Sequence, residues 1–343
     1  MMHKTPQYGH SISAGGRIAI FAALASAALA IAVKYRVNKA ERAHPPMGKF
    51  VEVEGVRLHY CDHGDGPPLV LLHGNGTMIE DFELSGLPSL SSSRYRTIIF
   101  DRVGFGHTDR PRGKTWGPQA QATLLRTAFD RLGIVHPIVV GHSWGTQVAL
   151  ALALDYPADV RSVVLLSGYY FPTIRFDVIL LSAPALPLIG DLMRYTISPW
   201  LGRLMWPRLL KKMFGPNAVP PHFAAFPVWM SLRPSQLRAA AAESALMIPD
   251  AIALRSRYSE LKMPVFIMAG AKDRIVNTQR QSARLHRTIP QSTLHVIPDA
   301  GHMIHHIVPY KVMDMIEKAE IASSPTLSAT PTMQRQPAAS IDS

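Results

Sequence analysis

The strongest constraint on this chain is an alternation of short apolar runs with helical patterns. Residues 68–72, 97–100, 137–140, 162–166, 265–268 and 293–297 are short stretches dominated by Val, Ile, Leu, Phe and Thr. Most are continuous apolar runs, as expected of strands covered on both faces; half-exposed strands alternate instead. Between them, residues 119–132, 144–156 and 278–288 carry helical spacing. Strands separated by helices run parallel, because the crossover returns the chain to the same end of the sheet. The expected fold is therefore α/β, a mostly parallel sheet with helices on both faces. Residues 50–54 and 56–60 alternate and meet at Gly55, which predicts an antiparallel hairpin at the sheet's entrance.

Functional residues in such sheets gather at the carboxyl ends of strands. The segment Gly141-His142-Ser143-Trp144-Gly145 lies where a strand turns into a helix. Its glycines let neighbouring backbone approach closely while Ser143 is thrust outward on a strained turn, as a nucleophile elbow requires. The pattern is weak by itself, but the other strand ends are equally loaded. His73-Gly74-Asn75-Gly76 and Asp101-Arg102 follow the first two parallel strands, and Asp273 and His302 follow the last two. A serine, an acid and a histidine so placed supply a nucleophile, an orienting carboxylate and a base. Asp299 is a rival acid near His302. Asp101 follows a different strand and reads as a brace, with Arg102 as its structural partner. His142 reads as packing for the elbow and His73 as an anchor for its own loop. His302, His305 and His306 form an H-x-x-H-H run, but a helix carrying them offers no carboxylate partner, so neither metal nor cofactor is expected.

In these motifs the chain resembles the α/β-hydrolase superfamily over residues 49–322. The order Ser143, Asp273, His302 matches that family's nucleophile, acid and base. The resemblance implies an oxyanion hole built from the backbone amides of Asn75 and Trp144. GHSWG and HGNG are also similar to motifs of the haloalkane dehalogenase and epoxide hydrolase branch, whose members carry aspartate where this chain has Ser143. A carboxylate nucleophile suits displacement at an alkyl carbon, whereas a serine suits attack on an acyl carbonyl. The implied activity is that of a serine hydrolase on carboxylic esters with apolar groups, carboxylesterase- or lipase-like. C–C bond hydrolysis and haloperoxidase-like perhydrolysis on the same triad remain alternatives, as does a non-catalytic, membrane-associated ligand-binding protein.

The insertion between the fourth parallel strand and the acid-bearing strand, about residues 171–261, reads as short helices forming a cap. Its aromatic residues suit either a pocket lining or the cap's own core. Tyr169, Tyr170 and Phe171 are better pocket candidates, because they leave a strand beside the elbow. Near the start, residues 18–33 are an apolar run between Arg17 and Lys34, read as a single membrane anchor within an N-terminal segment 1–48 that ends in a linker. A cleaved signal is the rival reading, and the basic residues after the run favour retention with a cytoplasmic catalytic domain. Residues 323–343, rich in Ser, Thr, Pro and Ala, are expected to be disordered. The net charge of +12 fits an anionic membrane surface or a solvated basic face; no nucleic-acid-binding motif accompanies it. With Cys61 as its single cysteine the chain forms no internal disulfide. Oligomeric state has no signature in the chain.

Overall fold

The computed structural model describes residues 13–174, 178 and 181–324. Strands β1 (Lys49–Val53) and β2 (Val56–His63) form the entrance hairpin. Its two-residue turn, Glu54 and Gly55, has φ of 48° and 74°, the positive values that match a tight turn to strand twist. Strands β3 (Pro68–Leu72), β4 (Arg96–Phe100), β5 (Ile138–His142), β6 (Ser162–Leu166), β7 (Val265–Gly270) and β8 (Ser292–Ile297) complete an eight-stranded sheet of order β1-β2-β4-β3-β5-β6-β7-β8. Every pairing from β4 to β8 is parallel; only the hairpin and its junction with β4 are antiparallel.

Strand alternation splits the core in two. Val70 and Leu72 face the helices Pro118–Leu132 and Gly145–Asp155, while Leu69 and Leu71 face Ile79–Ser85, Leu87–Ser91 and Pro309–Ser323. Sheet register then places the loops. Leu72 pairs with Gly141, so the loop after β3 and the elbow after β5 emerge side by side. Gly270 pairs with Ile297, which brings the loops after β7 and β8 together. Because β3 lies between β4 and β5, the chain reverses its direction of travel across the sheet there, the place where such sheets open a crevice.

Between β6 and β7 lie the helices Ile189–Tyr195, Ser198–Phe214, Val228–Ser231 and Pro234–Arg255. The last starts with Pro234 in its first turn, where a missing N–H costs nothing. Phe214, Phe223, Phe226 and Met230 are buried together with Met303, so these cap aromatics form an internal core. Trp206 stacks on Phe226, and Trp200 meets Trp229 edge to face.

The N-terminal helix, Ala14–Ala43, is longer than its apolar run and is long and apolar enough to cross a membrane. Its first half is bare: Ile18, Phe21 and Leu24 are 70%, 73% and 63% exposed. Its second half rests on the cap, where Arg36 lies over the Trp229 ring and Glu41 pairs with Arg233 at 3.1 Å. Of the segment 323–343, residues 325–343 lie outside the described residues.

Candidate active site

Ser143 has φ of 51°, a conformation rarely adopted by residues other than glycine. Contacts on both sides hold it there. Its N–H donates to the Leu166 carbonyl at 2.8 Å, and its carbonyl accepts from the Thr146 hydroxyl at 2.6 Å. The flanking glycines are required by close approach. A Cβ on Gly145 would stand 2.3 Å from the Leu72 carbonyl oxygen, and one on Gly141 would stand 2.7 Å from the Gly145 carbonyl oxygen. The helix Gly145–Asp155 therefore starts hard against β3, with its N-terminus behind Ser143.

The three residues from separate strand ends meet. The Ser143 hydroxyl lies 3.0 Å from His302 Nε2, and His302 Nδ1 lies 2.7 Å from Asp273 Oδ2. The second carboxylate oxygen of Asp273 accepts the N–H groups of Ile275 at 2.7 Å and Val276 at 2.9 Å, which fixes the acid's rotamer. His302 is held through its backbone, donating to Met213 of the cap at 2.9 Å. Asp299, the rival acid, is exposed.

Asn75 and Trp144 flank this group. The Gly74 carbonyl accepts from His73 Nδ1 at 2.8 Å, Arg102 at 2.9 Å and the Thr77 hydroxyl at 3.2 Å. The Asn75 N–H belongs to the same planar peptide and must point the opposite way. Gly74 itself abuts the elbow, since a Cβ there would lie 3.1 Å from Ser143 Cβ. Neither the Asn75 nor the Trp144 backbone N–H donates to a protein acceptor among the described residues. The Asn75 side chain is committed elsewhere, its amide donating to Ala240 and Ser244 of the cap helix Pro234–Arg255. His73 anchors the loop as a neutral ring: burial, then the nearby Arg102 charge, push it down to about 3, and its Nε2 accepts the Arg102 N–H at 3.0 Å.

Asp101 is the brace it was expected to be. His59 Nδ1 donates to it at 2.6 Å, and the N–H groups of Ile79 and His107 at 2.9 Å each. Burial works against its charge, but these donors outweigh it and hold the carboxyl below the usual carboxylate range. Arg102, in contrast, does not pair with Asp101. It forms a fully buried ion pair with Glu243 of the cap helix, closed by a second bond of 3.0 Å and shared with Gln121. The same guanidinium holds the His73 and Gly74 carbonyls and lies over the Trp144 ring, 4.7 Å from its centre. Glu243 escaped the sequence reading, although a lone acid in the alanine-rich run 239–246 was a usable signal.

Tyr170 and Phe171, expected beside the pocket, lie in the core instead. Tyr170 is fully buried and Phe171 is 3% exposed; both belong to the main core, where Phe171 meets Tyr258 edge to face. Their backbone is held by Gln281, which accepts both their N–H groups at 2.7 and 2.8 Å. Tyr169 does border a cavity of about 300 Å³, shared with Thr173, Lys212, Arg274, Asn277 and Arg280. That cavity opens beside the acid's loop, and Ser143 and His302 do not line it.

Behind the elbow lies a second polar cluster. His305 and His306 point their Nε2 atoms at Asp81 Oδ1, at 3.3 and 3.0 Å, and His142 Nδ1 stands 3.9 Å from Asp81 Oδ2. The missing carboxylate partner of the H-x-x-H-H run is thus supplied by the helix Ile79–Ser85, more than two hundred residues away in the chain. Burial opposes its ionisation, yet the two histidines hold Asp81 well below the usual carboxylate range.

Comparison with known proteins agrees with this architecture. Haloalkane dehalogenase 2 of Mycobacterium tuberculosis is 26% identical over 282 residues, covering 78% of this chain and 93% of the dehalogenase. A 2-hydroxy-6-oxononadienedioate/2-hydroxy-6-oxononatrienedioate hydrolase of Burkholderia vietnamiensis is 30% identical over 264 residues, covering 72% and 85%. Among solved structures, a membrane phospholipase A, described as a bacterial virulence factor, superposes with a TM-score of 0.62 at 19% identity, covering 90% of this chain and 97% of its own. The profile of the alpha/beta hydrolase fold matches residues 67–307, and the chain belongs to that family of hydrolases.

Proposed function

We propose that the protein is a membrane-tethered serine hydrolase that cleaves carboxylic esters with apolar groups through an acyl-enzyme. The observation that carries this reading is the continuous line from Ser143 Oγ through His302 to Asp273, at 3.0 and 2.7 Å. In the proposed cycle His302 Nε2 takes the Ser143 proton as Oγ attacks the carbonyl carbon. Asp273 keeps the proton on Nδ1 and stabilises the imidazolium. The oxyanion that forms accepts from the Asn75 and Trp144 amides, which have no competing acceptor among the described residues; each such donor is worth ~2.7–4 kcal/mol in the transition state. His302 then protonates the leaving alcohol, and water repeats the sequence on the acyl-enzyme. The serine also separates this chemistry from that named for the similar dehalogenase, since an alkyl-enzyme ester is the product of a carboxylate nucleophile.

Membrane tethering is supported by the bare half of the Ala14–Ala43 helix and by the cap beside it. Leu188, Leu192, Leu201 and Leu204 are exposed apolar residues of the cap, and Arg203 and Lys211 stand among them. An apolar face rimmed with basic residues suits a lipid surface, with the long cationic stems lying along it.

One observation favours a second reading, C–C bond hydrolysis of an acidic diketone. The cavity beside the acid's loop carries Lys212, Arg274 and Arg280, and the Burkholderia relative is named for a dioate substrate. The deciding experiment treats the purified protein with a fluorophosphonate probe and then ranks p-nitrophenyl esters, a vinylogous diketone acid and a peroxide/acetate mixture. Labelling is expected in the native chain and absent in Ser143→Ala, with esters turned over fastest; equal labelling of both chains sinks the assignment.

A further inference from the structure

The cluster behind the elbow takes no part in the proposed hydrolysis, yet it is the most concentrated set of ligating side chains among the described residues. One ligand atom each from Asp81, His142 and His305 lies within 4.8 Å of the other two, and all three side chains are essentially sealed from solvent. Three buried atoms of this set, Asp81 Oδ2, His142 Nδ1 and His305 Nδ1, have no hydrogen-bonding partner among the described residues. Their protonation follows from their neighbours. His142 Nε2 donates to the His302 carbonyl at 3.2 Å, so Nδ1 of its neutral ring presents a lone pair. His305 Nε2 faces the Asp81 carboxylate, so its Nδ1 likewise presents a lone pair. Acceptors without donors, gathered around a carboxylate in a sealed interior, are what a cation satisfies and what a packed core avoids.

We propose that Asp81, His142 and His305 bind a structural divalent ion of the zinc class. Nitrogen-rich donor sets select zinc-like ions, whereas calcium and magnesium require oxygen. A tetrahedral zinc site holds its donors roughly 3.3 Å apart. The three ligand atoms lie within 4.8 Å of one another, with His142 Nδ1 3.9 Å from Asp81 Oδ2, so side-chain movements of about 1 Å close the set. The ion joins three segments: the helix that follows the oxyanion loop, the residue before the nucleophile, and the turn after His302. It thereby pins the elbow to the base's loop from behind, where the His142 and His302 rings already meet at a tilt with centres 5.0 Å apart. The other candidate cluster, Cys61, His63 and Glu83, is partly open to solvent, and burial followed by nearby acidic charges pushes its thiol up to about 12, away from the thiolate a metal needs.

The test uses the untagged full chain, produced with Zn²⁺ in the medium and dialysed against EDTA, because a sealed ion enters during folding and exchanges slowly. Expected results are one zinc per chain by elemental analysis, visible tetrahedral d–d bands when Co²⁺ replaces it, and a melting temperature several degrees above that of protein refolded with chelator. Asp81→Asn and His305→Gln are expected to lose the metal, while Cys61→Ser and His302→Ala keep it. Substoichiometric zinc in the native chain overturns the proposal. So does loss of metal in Cys61→Ser or His302→Ala, which would move the ion to the outer cluster or the triad. Should Asp81→Asn fail to fold, the native Co²⁺ spectrum decides: a thiolate charge-transfer band overturns the site, and its absence beside tetrahedral bands supports it.

Discussion

At the scale of single residues, backbone strain and burial decide what each group can do. Ser143 keeps its left-handed φ only because Gly141 and Gly145 let β3 and the following helix close in around it. The glycine spacing made that elbow legible from the sequence. The environment of a lone acid was not legible. Asp250 lies in the cap helix with one carboxylate oxygen unpaired among the described residues. Burial, then repulsion from Glu243, push its carboxyl up to about 7. The folded chain therefore holds this proton more tightly than the unfolded chain, and stability present in acid is lost as pH rises from about 4 through about 7. Asp250→Asn removes that loss. Thermal melts should show a gain of about 1–2 kcal/mol near pH 8, a figure reduced from the full linkage value because the group is only partly buried, and little gain near pH 4.

At the scale of elements, the cap helix Pro234–Arg255 serves the site as much as it covers it. Its Glu243 neutralises Arg102, and its Ala240 and Ser244 take the Asn75 side chain, so the loop bearing Asn75 is fixed from above. Pattern and spacing could place both the loop and the helix, but the partnership joins residues 141 apart in the chain, and no local rule selects one acid for one arginine. Glu243→Gln strands a buried guanidinium without its counter-charge. The expected cost is about 3–5 kcal/mol in urea unfolding, accompanied by slower fluorophosphonate labelling as the oxyanion loop loosens. The same limit explains the misplacement of Tyr170 and Phe171. Both leave a strand beside the elbow, and only the fold back toward Gln281 and Tyr258 turns them into the core.

At the scale of the whole molecule, the long N-terminal helix and the apolar cap surface lie together, so removing one should expose the share of the other. The full chain is expected to float with anionic lipid vesicles at high salt. A chain starting at His44 should retain only weak, salt-sensitive binding through Arg203, Lys211 and their neighbours; unchanged flotation of the shortened chain would assign membrane binding to the cap instead. What the amino-acid order determined by itself was periodic and local. Continuous apolar runs separated by helical spacing specify a parallel sheet, and the turn residues at each strand's end specify where a nucleophile, an acid and a base emerge, because both depend on neighbours within a few positions. Only the tertiary structure decided which strand ends stand together, which cap carboxylate neutralises Arg102, and that Asp81 meets two histidines more than two hundred residues away. Those contacts arise from sheet register and core packing, where groups distant in the chain are forced together and each buried charge must find whichever partner the fold brings within reach.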